Sequence, residues 1–114
     1  MSIFKIFRPD EWQSFTESAV FNGSADDARD GFIHFSTYEQ MSGTLAKYYA
    51  DAPSIIIARV DNPDWGAQLK WEVSRGGAKF PHLYTDLHME DVKEFWQLQK
   101  DKPQAWDISE ITTA

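Results

Sequence analysis

The chain has 114 residues, a formal net charge of -7 and no cysteine. That length suits one domain with a core of its own, read as a body over about residues 3–100 and a tail over 101–114. The acidic balance excludes non-specific attraction to DNA or to anionic membrane surfaces, and the missing cysteine excludes disulfides, thiolate metal sites and a cysteine nucleophile.

Ile3–Phe7 is a short apolar run that predicts a first strand, broken at Arg8-Pro9-Asp10. A helix is expected from Asp10, with Trp12, Phe15 and Ala19 on one face. Asn22-Gly23-Ser24-Ala25 signals a turn, after which Ser24 or Asp26 begins a short helical turn. Asp30-Gly31-Phe32-Ile33-His34-Phe35-Ser36-Thr37 follows as a strand running into a helix. Side chains alternate along a strand, so Ile33 and Phe35 face one way and Phe32, His34 and Ser36 the other. A capping box at Thr37–Gln40, or one residue earlier at Ser36–Glu39, opens the next helix. That helix is expected over Tyr38–Ala50, with Met41, Leu45 and Tyr48 on one face, and Asp51-Ala52-Pro53 stops it.

Ser54–Asp61 is the clearest strand; Ile55–Val60 is apolar on both faces and belongs in the middle of a sheet. After a turn at Asn62-Pro63-Asp64, Leu69–Ser74 alternates, with Leu69, Trp71 and Val73 on one face and Lys70, Glu72 and Ser74 on the other. Trp71 is expected in the core. Arg75-Gly76-Gly77-Ala78 is a loop, and in Phe80–Tyr84 a strand would put His82 and Tyr84 on a common face. Glu90–Gln99 reads as a last helix with Val92, Phe95 and Trp96 inward. Lys100–Pro103 is a linker, and Trp106–Ile108 a last strand. This order, with short links between adjacent strands, predicts an α+β fold with a mixed or mainly antiparallel split sheet flanked by helices.

Ordinary roles compete with functional ones throughout. A histidine on a half-buried strand is often a hydrogen-bonded structural residue. Glu72 with Lys70 suits a solvated sheet face. Arg75-Gly76-Gly77 is either a plain turn or a loop that brings backbone and a guanidinium to a phosphate. His82 and Tyr84 either line a pocket or cap the core with polar tips outward. His34, His82 and His88 lack the spacing of a metal-binding pair, so no metal is expected, and His88 among Asp86, Glu90 and Asp91 reads as solvated acidic surface. With no signal-peptide pattern and no bilayer-length apolar run, a soluble cytoplasmic protein is expected.

DGFIHFST, LKWE, and RGG with FPHLY, in that order, resemble the bacterial and plant family called domain of unknown function 952. The resemblance extends from Phe4-Lys5-Ile6 and Trp12 through Tyr84. It implies an ADP-ribosyltransferase-like fold, a split sheet with a crevice for NAD. In that frame His34, followed by Ser36 and Thr37, is the ribose-binding position, and Tyr48 or Tyr49 stacks on nicotinamide. Glu72 is the one motif-borne candidate for the carboxylate that stabilises the positively charged sugar. The RNA 2'-phosphotransferases of the same fold use basic residues instead, which would make Arg75 and His82 the relevant groups. The resemblance thus implies His34 and Glu72 as catalytic residues and His34, Ser36, Thr37, Tyr48, Tyr49, Arg75, His82 and Tyr84 as ligand contacts. It implies a small nucleotide as partner, NAD as a candidate substrate and no resident cofactor. The alternative is a catalytically inactive module that uses the same cleft for a small metabolite or a protein partner.

Overall fold

The first strand, β1 (Ile3–Phe7), and the fourth, β4 (Ser54–Val60), run antiparallel with Ile6 opposite Ile57, and both have two buried faces. This computed structural model describes residues 2–100 and 106–111. Alternation along these two strands divides the core. Ile3, Phe7, Ile56, Ala58 and Val60 enter one apolar cluster with Phe15, Phe21 and Leu83. Phe4, Ile6, Ile55 and Ile57 enter the other with Met41, Leu45 and Leu98. β4 is central, as its doubly apolar sequence requires.

Helix α1 (Pro9–Ser18) starts one residue before the expected Asp10, with proline in its first turn, where its missing N–H is not needed. The two-residue strand β2 (Val20–Phe21) follows, then helix α2 (Ala25–Asp30), strand β3 (Ile33–His34) and helix α3 (Tyr38–Tyr48). Thr37 is the α3 cap: its side chain accepts from the Gln40 N–H, and the Gln40 side chain accepts from the Thr37 N–H. Beyond β4 come β5 (Leu69–Val73), β6 (Lys79–Leu83), β7 (Leu87–His88) and β8 (Val92–Gln99). Among the described residues these strands form three small sheets, ordered β1-β4-β8, β2-β7 and β3-β6-β5, and every strand pair there is antiparallel. The α+β class is thereby observed.

Several expectations are corrected. Glu90–Gln99 is not a helix: Val92–Gln99 is β8, which covers the open edge of β4 with Leu98 opposite Ile55. Leu98 and Trp96 turn inward at period two, and Phe95 is exposed on the other face. A free edge on a central strand exposes a row of unpaired backbone groups, and closing it outweighs a weak helical pattern. Trp71 is not core. β5 is an edge strand whose Trp71 and Val73 face solvent, while Glu72 faces back over β6. Asp91 is not solvated: it is 2% exposed and accepts from the Asn62 side chain and the His88 N–H. Trp106–Ile108 is not a strand; Trp106 and Ile108 pack against the second cluster. Residues 101–103 of the expected linker lie outside the described residues.

Candidate functional site

The segment before His34 is held by a cap. Ser24 caps α2: its side chain accepts from the Asp27 N–H, and Asp27 Oδ2 accepts from the Ser24 N–H at 2.9 Å. Gly31 then takes a left-handed conformation (φ 87°), which ends the helix and turns the chain into β3. β3 is short because the chain changes partners. Ile33 and His34 pair with β6, and Ser36 then exchanges two backbone hydrogen bonds with Phe4 of β1. His34 therefore stands where two sheets meet.

Asp27 is the centre of the site, and only its capping role is readable in the sequence. Its Oδ1 accepts from the His34 N–H at 3.1 Å and lies 2.6 Å from His34 Nδ1. Its Oδ2 accepts from Lys5 Nζ at 3.0 Å, and Lys5 also donates to the His34 carbonyl. Lys5 and Asp27 are both buried, and such a pair persists only where each charge is matched and hydrogen-bonded. Burial pushes the Asp27 carboxyl up, but the His34 hydrogen bond, the Lys5 charge and the Ser24 N–H outweigh it and hold the group well below the usual carboxylate range. His34 Nε2 lies 3.0 Å from Asp30 Oδ2, so both ring nitrogens face carboxylates. The Asp30 carboxyl is itself held down, first by its hydrogen bond from Arg29.

A second histidine stands beside the first. His34 is opposite His82 of β6, and His82 is opposite Lys70 of β5. The two imidazole rings are 5.4 Å apart, and the Phe32 ring stacks on His82 at 4.0 Å. His82 Nδ1 lies 2.9 Å from Glu72 Oε1, which also accepts from the Tyr84 hydroxyl at 2.6 Å. Those hydrogen bonds, that from Tyr84 foremost, lower the Glu72 pKa, and the same contact raises that of Tyr84.

A cavity of about 180 Å³ opens between α2, β3, β6 and the end of α3. His34, Ser36, Tyr48, Tyr49 and His82 line it, together with Asp26, Asp27 and Asp30. Ser36 is buried, with its hydroxyl 3.2 Å from that of Thr44. The two tyrosines differ. Tyr49 is anchored, its hydroxyl donating to the Ile6 carbonyl and its ring beneath the Arg8 guanidinium, and burial pushes its pKa up. Tyr48 is 48% exposed. Thr37, Glu72 and Tyr84 do not line the cavity: Thr37 is occupied as a helix cap, and Glu72 and Tyr84 stand behind His82. The Arg75 side chain lies outside the described residues.

Residues 6–95 match the family model described as "Protein of unknown function (DUF952)". The chain belongs to the DUF952 family. The crystal structure of protein CC0527 from Caulobacter crescentus is 38% identical, with a TM-score of 0.88 over 96% of each chain. Its solution structure is 39% identical, with a TM-score of 0.81 over 91% of this chain and 90% of that one. No curated protein matches. The DUF952 match includes Asp27, which lies outside the sequence motifs DGFIHFST, LKWE and RGG with FPHLY. The available signals were a Ser-x-x-Asp cap at Ser24–Asp27 and a lysine on the inward face of an apolar strand at Lys5. Neither signal says that the two residues meet.

Proposed function

We propose that this cleft binds a ribosyl ligand of the NAD and ADP-ribose class, with one sugar in the cavity and His34, Ser36 and His82 around its hydroxyls. The observation that carries this reading is the convergence of His34, Ser36, Tyr48 and His82 on one cavity. About 180 Å³ falls short of the roughly 300–1,000 Å³ of pockets that enclose drug-sized ligands, so the cavity suits one ring and leaves the rest of a dinucleotide on the surface. We assign the stacking role to Tyr48, which is exposed at the end of α3 and lines the cavity.

The charge of the lining favours a neutral polyol or a cationic ring over a phosphate. Asp26, Asp27 and Asp30 line the cavity with Lys5 and Arg29. Lys5 is engaged by Asp27, and Arg29 by Asp26 and Asp30. No lining lysine or arginine among the described residues is left over for a phosphate. An ADP-ribosyltransferase-like reaction cleaves the nicotinamide–ribose bond through a positively charged sugar, and a carboxylate at the cavity stabilises that charge. Asp30, partly exposed beside His34, suits this role better than Glu72, which stands behind His82.

A non-catalytic binding module is the second reading. It is favoured by one observation: each lining carboxylate is already paired with a cation or His34. Titration calorimetry and ligand-observed NMR with NAD and ADP-ribose test the binding, and nicotinamide release separates the two readings. Binding that His34→Ala abolishes is expected. No binding at millimolar ligand overturns the proposal, and binding without nicotinamide release selects the module.

A further inference from the structure

The geometry points to His82, through Nε2, as the acceptor of a ligand hydroxyl in this cavity, with Glu72 as the residue that positions it. This rests on the ribosyl reading of the cleft and gives the ring-nitrogen contact with a ligand hydroxyl to His82 rather than to His34. His34 has no free ring nitrogen: Nδ1 faces Asp27 and Nε2 faces Asp30. His82 has one. Its Nδ1 is engaged by Glu72, whereas its Nε2 is buried without a hydrogen-bond partner among the described residues.

The direction of the free site follows from Glu72. An ionised carboxylate only accepts, so Glu72 Oε1 receives both the Tyr84 O–H and the His82 Nδ1–H. The hydrogen bonds that lower the Glu72 pKa keep it in that accepting form. In the neutral ring the single proton is then on Nδ1, and Nε2 presents a lone pair. The Phe32 face at 4.0 Å fixes the ring plane, and only 3% of His82 is exposed, so water does not satisfy the lone pair and a ligand hydroxyl reaches it with a small shift of the surrounding lining. A buried acceptor left unpaired is destabilising. A ligand hydroxyl that donates to Nε2 removes that penalty on binding, which makes the site selective for a donor over an ether or a phosphate oxygen. Glu72 touches neither cavity nor ligand and acts only by setting the tautomer.

Nitrogen-15 NMR of the histidine rings in the full chain tests this, first without ligand and then with ADP-ribose. The expected result is an Nδ1–H tautomer for neutral His82 in the free protein, with a pyridine-type Nε2 whose resonance moves upfield when ADP-ribose binds. In Glu72→Leu no acceptor holds the Nδ1 proton, so the proton is expected to shift to Nε2 and ADP-ribose affinity to fall at least tenfold, with the fold retained in the amide spectrum. A neutral His82 carrying its proton on Nε2 in the wild type overturns the inference whether or not ligand binds. ADP-ribose binding that leaves Nε2 unmoved also overturns it while sparing the reading of the cleft. An absence of ADP-ribose binding overturns that reading, and the ligand contact with it, even where the Nδ1–H tautomer is found.

Discussion

Lys5 Nζ lies 3.0 Å from Asp27 Oδ2, joining the first strand to the helix that precedes His34. This pair is buried, and it couples the core to the candidate site. Lys5 belongs to an apolar strand, and Asp27 holds both the backbone and the ring of His34. Loss of either charge leaves the other buried and unmatched.

Asp27→Asn is therefore expected to cost about 3–5 kcal/mol near neutral pH, the range for breaking a buried ion pair. The pH dependence has a definite sign. The folded-state pKa of Asp27 is depressed, so its contribution is fully present above the ordinary value of 3.8 and is lost as pH falls through the lower folded value. Urea denaturation of both proteins at neutral pH and below pH 3.8 checks it: the gap between wild type and Asp27→Asn narrows in acid. A gap that does not change with pH rules out the ion pair as its source.

Gly23→Ala is expected to disturb the same network from the other side. Gly23 has φ 123°, and an added Cβ would come within 2.7 Å of the Asp27 Cβ. The backbone strain alone is worth about 1–3 kcal/mol. Thermal melts should show the loss, and the His34 ring resonances should shift because Asp27 moves. An unchanged His34 spectrum in a destabilised variant disconnects the turn from the site.

Tyr84 reports on Glu72. Its hydroxyl donates to the carboxylate, which raises the phenol pKa above the ordinary 10.0. Carbon-13 NMR of the tyrosine rings should show Tyr84 deprotonating at higher pH than in Glu72→Gln, where no charge opposes the phenolate. Equal titrations in the two proteins would mean that the contact is absent in solution.

The last strand is tested by a contrast between neighbours. Leu98 is 6% exposed in the second core cluster, so Leu98→Ala is expected to cost about 2–5 kcal/mol. Phe95 is 55% exposed and packs on Trp12 at 4.9 Å, so Phe95→Ala forfeits an aromatic pair worth about 0.5–1.5 kcal/mol and little more. A helix with Phe95 inward instead predicts a cost of about 3–5 kcal/mol for Phe95→Ala, and urea titration of both variants decides between them.

Part of the site was legible because strand alternation is local. His34 and Ser36 turn toward one cavity, and His82 and Tyr84 meet on one face at Glu72, as their spacing requires. The rest was hidden for a physical reason. Asp27 and Asp30 flank His34 because a six-residue helix ends at Gly31 and folds back, and nothing in the periodicity of that segment reveals the return. Trp71 reads as core in the sequence because alternation shows that two faces differ, not which of them meets the interior.

The sequence by itself determined that helices open near Ser24 and near Thr37, where capping hydrogen bonds close within a few residues, and that the doubly apolar β4 is a central strand. It also determined family membership, through motifs within residues 6–95. Only the tertiary structure decided that Val92–Gln99 is a strand, that β5 is an edge, and that Lys5 meets Asp27 across 22 positions of chain. A cap or a turn is settled by its own backbone. An edge strand or a buried charge is settled by the distant segment that covers it, so its energy exists only once the whole chain is assembled.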